Sequence, residues 1–353
     1  MNQFVGMSRS CNVEEASRGL KDPKLIIMSV SDKEVFKEKV SQLEDMFPGV
    51  PSIGCVGESY CGTDVMEKGI MIVGLTGDVT VVTDIITNVS TAPVACIKSI
   101  EKNVAKINSG RDNTVLIDFC SANDESVLTT IQSVIENKNI QLTGGTAWEG
   151  LVCCNGKVHE DACTYALVKN NGGKVKVYKE NIYTATEKKH ICTKAVPSQY
   201  KICELDGKPV EKVYTDELGI GAAALDTQTF KNPLGRCMGN EIYIVSLKER
   251  VGNGELTCYR KVNPKDVVCI LEAGDHNAIL NDTLEQIKGD FSRISGVFSV
   301  NCVFRYLYFQ ENNFMNTYLE KMSSLGTHAG LIGMGEHYNK QHTNQTMSCV
   351  VFE

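Results

Sequence analysis

Six polar residues near the C-terminal end of the chain could together bind a small charged molecule. They border short apolar segments, and they are Asn301, Cys302, Arg305, Glu336, Asn344 and Thr346. A guanidinium donates two parallel hydrogen bonds to a carboxylate, whereas a carboxylate or an amide oxygen accepts from an ammonium group. We therefore predict that these residues bind an amino acid or another small carboxylate in a cleft at the end of a sheet.

A structural role for two of these residues is the competing interpretation. Arg305 and Glu336 could pair with each other and tie a strand to a turn, because buried charges in proteins are usually paired. The sequence leaves open whether the two residues form a binding site or an internal ion pair.

Catalytic and metal-binding chemistry have weaker support. Cys302 with His337 or His342 would make a thiolate–imidazole pair, as in a Cys-dependent hydrolase. The two histidines with Glu336 could also be drawn as metal ligands. Cys302 lies in an apolar segment, where most thiols are inert, and the histidine spacing does not place both rings on one helix face. We expect no catalytic residue, no metal and no cofactor.

The elements that must position these residues follow a plan that occurs three times. Each copy has an apolar strand, an amphipathic helix, a Gly-rich turn with an acid and a second apolar strand. In the first copy the strand is 25–30, the helix runs over about 32–47, the turn is 52–58 and the second strand is 70–75. In the second copy they are 114–120, a helix to about 137, 142–149 and 162–168. In the third copy they are 296–302, a helix to about 325, 331–336 and 346–352.

The repeated plan leads to two structural predictions. Strands 297–302 and 346–352 should lie side by side in one sheet, as in a crossover unit. The turns around Gly54 and Gly144 should follow a similar backbone path. Ser31 and Glu34 form a candidate capping box for the first helix, and Ser121 and Asp124 stand at the start of the second.

Composition excludes several classes of function. The chain has 353 residues and a net charge of −7, which argues against binding nucleic acid. No apolar run approaches the roughly 20 residues that span a bilayer, and no signal sequence is visible. We expect a cytoplasmic protein that binds neither nucleic acid nor membrane.

Between the repeats the pattern changes to β-rich ribbons. We predict an α/β protein of mixed α+β type, with two related domains of mixed sheets covered by helices, in a layered α-β-β-α arrangement. Residues from about 184 to 197 are polar and lack periodicity, so the predicted domains are residues 1–195 and 196–353.

The order of several short motifs resembles that of the FIST family, and the resemblance covers nearly the whole chain. The motifs are Ile53–Glu58, Gly144–Ala147, Asp206–Pro209 followed by Tyr214, Asn232–Gly235, Tyr259 before Asn263–Pro264, Val300–Arg305, Gly333–Glu336 and Asn344–Thr346. His337 and Tyr338 depart from the pattern, because small residues usually follow this glutamate, and Trp148 stands where a smaller residue is usual.

The resemblance implies a sensory module that binds a small ligand, for which amino acids are proposed in the family. FIST modules are often joined to signalling domains, whereas this chain resembles a stand-alone form that would signal through a separate protein partner. The competing hypotheses are a hydrolase that uses Cys302 and an interaction scaffold whose cleft receives a partner peptide.

Overall fold

The computed structural model describes residues 1–239 and 241–353, in which the strands form four sheets. Three sheets have six strands each and are built on one plan, and the fourth has nine. None of the helices in these two ranges is both long and apolar enough to cross a membrane.

The first unit contains six strands and two helices. In chain order they are β1 (Asn2–Ser8), α1 (Val13–Ala16), β2 (Leu25–Val30), α2 (Lys33–Met46), β3 (Ser52–Val56), β4 (Glu58–Cys61), β5 (Asp64–Met66) and β6 (Ile70–Thr76).

The second unit repeats this order. Its elements are β7 (Val79–Thr87), α3 (Ile97–Ile107), β8 (Thr114–Cys120), α4 (Asp124–Ile135), β9 (Ile140–Thr146), β10 (Val152–Cys154), β11 (Lys157–His159) and β12 (Ala162–Asn170). Short 3-10 turns at Pro93–Cys96 and Trp148–Gly150 precede α3 and β10.

The third unit begins with β13 (Val175–Asn181) and is then interrupted by an insertion. The inserted strands and helices are β14 (Tyr183–Ala185), β15 (His190–Val196), β16 (Lys201–Leu205), β17 (Lys208–Pro209), α5 (Val210–Leu218), α6 (Leu225–Gln228), β18 (Leu234–Met238), β19 (Glu241–Ile244), β20 (Leu247–Arg250), β21 (Leu256–Cys258) and β22 (Val267–Ala273). The unit resumes with α7 (His276–Asp290), β23 (Gly296–Cys302), α8 (Val303–Glu311), α9 (Met315–Ser323), β24 (His328–Gly333), β25 (Glu336–Tyr338), β26 (Gln341–Thr343) and β27 (Thr346–Phe352).

Strand order is the same in the three six-stranded sheets. It runs β1-β6-β2-β3 in the first, β7-β12-β8-β9 in the second and β13-β27-β23-β24 in the third. The third and fourth strands of each series are parallel and flank the connecting helix, whereas the second is antiparallel to the third. The predicted pairing of strands 297–302 and 346–352 is therefore confirmed, and the pair is antiparallel.

Each of the three six-stranded sheets contains a two-stranded hairpin that comes from a different unit. The hairpin β10–β11 of the second unit joins β3, the hairpin β25–β26 of the third unit joins β9, and the hairpin β4–β5 of the first unit joins β24. The exchange is cyclic, so the three units interlock. One apolar core holds buried residues from all three sheets, among them Ile27, Ile117 and Val300.

Helices cover the outer faces of these sheets, which confirms the mixed α+β class. Alternate residues of a strand point to opposite faces, so Phe298 and Val300 of β23 face the central core while Val297 packs under the helices of the third unit. In the same way α2 covers the first sheet, and α3 with α4 covers the second.

Details of the predicted helices differ from the structure. The N-cap of α2 is Asp32, whose side chain accepts from the Glu34 N–H, so the capping box with Ser31 was wrong. The second helix begins after Asn123 rather than at Ser121. The single helix predicted before residue 325 is two helices, α8 and α9.

The fourth sheet is the insertion within the third unit. Its strands run β19-β18-β22-β15-β16-β21-β20, with β14 paired to β22 and β17 paired to β16. It encloses a separate core that includes Tyr214, Leu234 and Ile270. The division at residues 195 and 196 stays a prediction, and it falls at the end of β15 inside this sheet.

Three glycines mark equivalent positions in the units. Gly54, Gly144 and Gly330 each lie in the second strand of a parallel pair, and a Cβ there would lie less than 3.0 Å from the carbonyl oxygen of the paired residue. The segments around Gly54 and Gly144 are strands rather than the predicted turns. They pair in the same way, with Gly54 opposite Met28 and Gly144 opposite Asp118, while the similarity of their backbone paths stays a prediction. Glycine lets these strands approach closely.

A hydrogen-bonded chain of side chains fixes one exchanged hairpin to its sheet. The hydroxyl of Tyr60 on β4 lies 2.7 Å from the Ser299 hydroxyl on β23, which lies 2.8 Å from Nε2 of His328 on β24. Burial lowers the pKa of His328 to about 3. The ring is therefore neutral in the folded protein at neutral pH.

We expect Gly54→Ala to lower the free energy of unfolding by about 1–3 kcal/mol, since the added methyl group meets the backbone of β2. Gly289→Ala is the matched control, because Gly289 lies in α7 with nothing within 4 Å of an added Cβ. Urea unfolding measures both. Equal effects of the two changes would contradict the close approach.

We expect His328 to make stability fall on acidification. Between pH 6.5 and about 3 the unfolded chain binds a proton at this ring and the folded chain does not, so stability is complete above this window and is lost as pH falls. The loss from this group between pH 7.5 and 5 is about 2 kcal/mol. Denaturant unfolding of the wild type and His328→Gln tests it, and parallel pH profiles of the two proteins would refute it.

Candidate functional site

A cavity of about 410 Å³ lies where the hairpin β25–β26 meets the inserted sheet. Its wall combines residues of α4, β13, β19, β26 and the segments beside β21 and β27. Five cationic residues line it against two carboxylates: Lys179, Arg236, Arg260, Lys261 and Lys340 against Glu125 and Glu241. Arg236 also pairs with Asp266, and Lys340 pairs with Glu136, so the lining keeps only a small positive excess, which favours an anion.

Arg260 is the most deeply buried of these cations, with 8% of its surface exposed. Its Nε donates to Oδ1 of Asn344 at 2.8 Å, and its Nη1 donates to Oε1 of Glu125 at 3.3 Å. Its Nη2 has no hydrogen-bond partner among the described residues. Burial lowers the pKa of Arg260, while the carboxylates of Asp124 and Glu125 act to raise it.

A histidine held between two carboxylates lies behind the cavity. His337 on β25 is fully buried, with its Nδ1 2.7 Å from Oδ2 of Asp118 and its Nε2 2.9 Å from Oδ1 of Asp124. Asp118 belongs to β8, and Asp124 is the first residue of α4. The exchange of hairpins brings the third unit's imidazole to the second unit's carboxylates.

His342 on β26 lies beside this cluster and also lines the cavity. Its Nδ1 is 3.9 Å from Oδ2 of Asp124, and no hydrogen-bond partner for Nδ1 occurs in the described structure. Its Nε2 is 3.4 Å from Oγ1 of Thr146, which donates to Oδ1 of Asp124 at 2.7 Å. His342 is thus loosely held, whereas both nitrogens of His337 are bonded.

The pKa values of the two histidines are shifted in opposite directions. Burial opposes charge on both rings, but the carboxylates of Asp118 and Asp124 raise the pKa of His337 well above its usual value. Burial, aided by the charge of Arg260, lowers the pKa of His342. Burial alone would raise the pKa of Asp124, yet His342, His337 and Thr146 together lower it.

Glu336 lies in a pocket of hydroxyl groups and not beside Arg305. Its Oε2 accepts from the N–H and Oγ1 of Thr346, the latter at 2.6 Å, and from Oγ1 of Thr343 at 3.3 Å. Burial raises the pKa of Glu336 to about 7 against these hydrogen bonds. The competing interpretation, in which Arg305 and Glu336 pair with each other, is therefore wrong.

Arg305 instead lies on α8 and pairs with Glu180 of β13. The guanidinium is fully buried and also donates to the Glu180 carbonyl oxygen at 3.4 Å. Its Cζ lies 4.6 Å from the ring centroid of Phe309 and 5.5 Å from that of Tyr318. Burial opposes its charge, but Glu180 raises the pKa of Arg305. Arg305 does not line the cavity, so its predicted role as the anchor of a ligand carboxylate has no support in the geometry.

The six predicted site residues divide into three groups. Asn344 and Thr346 line the cavity, and Glu336 and Cys302 lie behind it. Asn301 and Arg305 form the third group, because both are fully buried and neither lines the cavity. Neither polar atom of the Asn301 amide has a partner within the described ranges. Sequence reasoning missed Arg260, Asp118 and Asp124, although an aspartate within the apolar segment 114–120 was a visible anomaly.

Cys302 lacks the surroundings of a nucleophile. Burial, followed by the charge of Glu336, raises its pKa well above that of a free thiol. Both nitrogens of His337 are bonded to carboxylates, so this ring cannot accept the thiol proton. The geometry therefore gives no support to a Cys-dependent hydrolase.

Arg305→Ala should lower the free energy of unfolding by about 3–5 kcal/mol, because it leaves Glu180 charged and buried without its partner. The double variant Arg305→Met/Glu180→Met should recover most of this loss, since it removes both charges. Chemical denaturation measures both proteins. A single variant as stable as the wild type would refute the structural ion pair.

The family comparisons cover both halves of the chain. The FIST N domain matches residues 24–208, and the FIST C domain matches residues 212–339. A comparison with curated proteins finds no match. FIST domains are generally associated with sensing and small-ligand binding in signalling. With a family match over more than half of its length, the chain belongs to the FIST family.

Proposed function

We propose that the protein is a sensory protein that binds a small carboxylate ligand, such as an amino acid, in the cavity at Arg260. In this proposal it passes the signal to a separate protein partner. The observation that carries it is Arg260, a residue of the cavity wall whose buried Nη2 has no hydrogen-bond partner among the described residues.

A ligand carboxylate would satisfy this guanidinium. An unpaired buried donor costs about 1–3 kcal/mol, and more where the group is charged. Asn344 and Glu125 occupy Nε and Nη1 and so hold the guanidinium plane in place before a ligand arrives. Fixing the donor in advance reduces the entropy that binding must lose. Arg260 thus takes the role predicted for Arg305.

The size and charge of the cavity fit a small polar ligand. Ligand sites commonly enclose about 300–1,000 Å³, and this cavity encloses about 410 Å³. The excess of cations selects for a carboxylate, while Glu125 and Glu241 offer acceptors for an ammonium group. Such a volume suits an amino acid better than the extended peptide of the scaffold hypothesis.

We expect Arg260→Gln to abolish ligand-induced thermal stabilisation. A thermal-shift screen of the wild type against amino acids and small mono- and dicarboxylates should find a ligand that raises the melting temperature, since binding only the folded state stabilises it. Arg260→Lys should retain a weaker response, because it keeps the charge but not the planar donor.

Arg250→Gln is the control for this screen. Arg250 is a partly exposed arginine that pairs with Glu211 and does not line the cavity, so its removal should leave the ligand response unchanged. Either no response of the wild type to any carboxylate, or an undiminished response of Arg260→Gln, would contradict the proposal.

A further inference from the structure

We propose that Asp124, His337 and His342 form a binding site for a divalent transition metal of the zinc class. One ligand atom from each residue can be chosen so that all three lie within 4.8 Å of one another. The three come from α4, β25 and β26, so two units of the fold contribute. The predicted metal ligands included both histidines but paired them with Glu336, which lies among threonines instead.

The distances require only small movements to coordinate a metal. Bonds of about 2.0–2.1 Å in a tetrahedral zinc site place two ligand atoms roughly 3.4 Å apart. Nε2 of His337 lies 2.9 Å from Oδ1 of Asp124, and Nδ1 of His342 lies 3.9 Å from Oδ2 of the same carboxylate. These two separations bracket the ideal spacing of roughly 3.4 Å, and the separations among the three ligand atoms do not exceed 4.8 Å.

The residues around the cluster provide the outer hydrogen bonds of a metal site. Histidine ligands commonly donate their other ring N–H to a carboxylate, which fixes the ring and the tautomer. Asp118 occupies this place, 2.7 Å from Nδ1 of His337. Thr146 donates to Asp124 at 2.7 Å and orients its carboxylate.

The charges at the site balance a divalent cation. Asp118 and Asp124 carry two negative charges behind the cavity, and Glu125 pairs with the nearby Arg260. Coordination at Nε2 of His337 displaces a proton from that nitrogen to solvent, and the metal takes over the positive charge. Two imidazole nitrogens with one carboxylate favour zinc, cobalt or iron(II) over calcium or magnesium, which prefer oxygen ligands.

The three protein ligands leave a coordination position open. Catalytic and ligand-binding zinc sites usually have three protein ligands and one exchangeable position. His342 belongs to the cluster and also lines the cavity, so in this proposal the open position faces the cavity. If the proposed function holds, the carboxylate of the ligand could contact both the metal and Arg260.

Cobalt(II) is the probe for this site. Titration of the tag-free protein with Co²⁺ should produce a visible absorption band that saturates at one equivalent, and Zn²⁺ should displace it. His342→Gln and Asp124→Asn should each weaken Co²⁺ binding by at least about 100-fold, beyond the roughly 10–100-fold effect of changing an outer partner. The His342 ring makes one hydrogen bond among the described residues, to Thr146, so its variant tests the site if Asp124→Asn fails to fold.

Two further variants distinguish a failure of the metal site from a failure of the proposed ligand site. His190 also lies between two carboxylates, 2.7 Å from Asp206 and 2.7 Å from Glu217, and His190→Gln should leave the Co²⁺ band unchanged. Arg260→Gln should lose the ligand response but keep the band, so the metal site and the proposed function can fail independently. No band and no Zn²⁺-induced thermal shift in the wild type, or an equal band in His342→Gln, would overturn the metal site.

Discussion

The cyclic exchange of hairpins is the constraint on which the site depends. Because β25 pairs with β9, His337 lies opposite Gly144, and Glu336 lies opposite Gly145. Gly144 of β9 in turn pairs with Asp118 of β8, and as a glycine it has no side chain beside that carboxylate. The imidazole of the third unit thereby reaches the carboxylates of the second. A shift of one residue in this register would turn His337 to the other face of the sheet.

The buried charges form separate sets, each with its own partners. Arg305 pairs with Glu180 beneath the helices of the third unit, while His337 pairs with Asp118 and Asp124 in the second sheet. Glu336 is held by hydroxyl groups, and burial raises its pKa although these hydrogen bonds and the charge of Arg260 act to lower it. Ion pairs of this kind contribute little net stability but cost several kcal/mol when one partner is removed. They therefore specify one arrangement of the units more than they stabilise it.

Local pattern was enough to predict the elements of the repeat, because apolar runs and helical periodicity are local properties. Four of the strands were predicted with their observed bounds, 25–30, 114–120, 296–302 and 346–352. The exchange of hairpins could not be predicted, since it depends on contacts between residues about 100 to 270 positions apart. The surroundings of Arg305 were predicted wrongly for the same reason. Its partner Glu180 lies 125 residues away, and in sequence the nearest motif with an acid was the turn at Glu336. Asp124 was interpreted as part of a helix start, which is where it lies, but its carboxylate faces the histidines.

The cavity lies between two parts of the chain. Arg260 follows β21 in the inserted segment, whereas Asn344 and His342 come from the three interlocked units. In the proposed function, a ligand held by Arg260 would contact both parts at once. Binding shifts a conformational equilibrium only by the difference in affinity for the two states. Under the proposed function, a molecule that contacts only the inserted segment would have no effect on the junction, whereas one that also contacts Asn344 or His342 would stabilise the observed placement of the two parts. In that proposal, a signalling partner would distinguish the ligand-bound protein from the free one at the surface beside this junction.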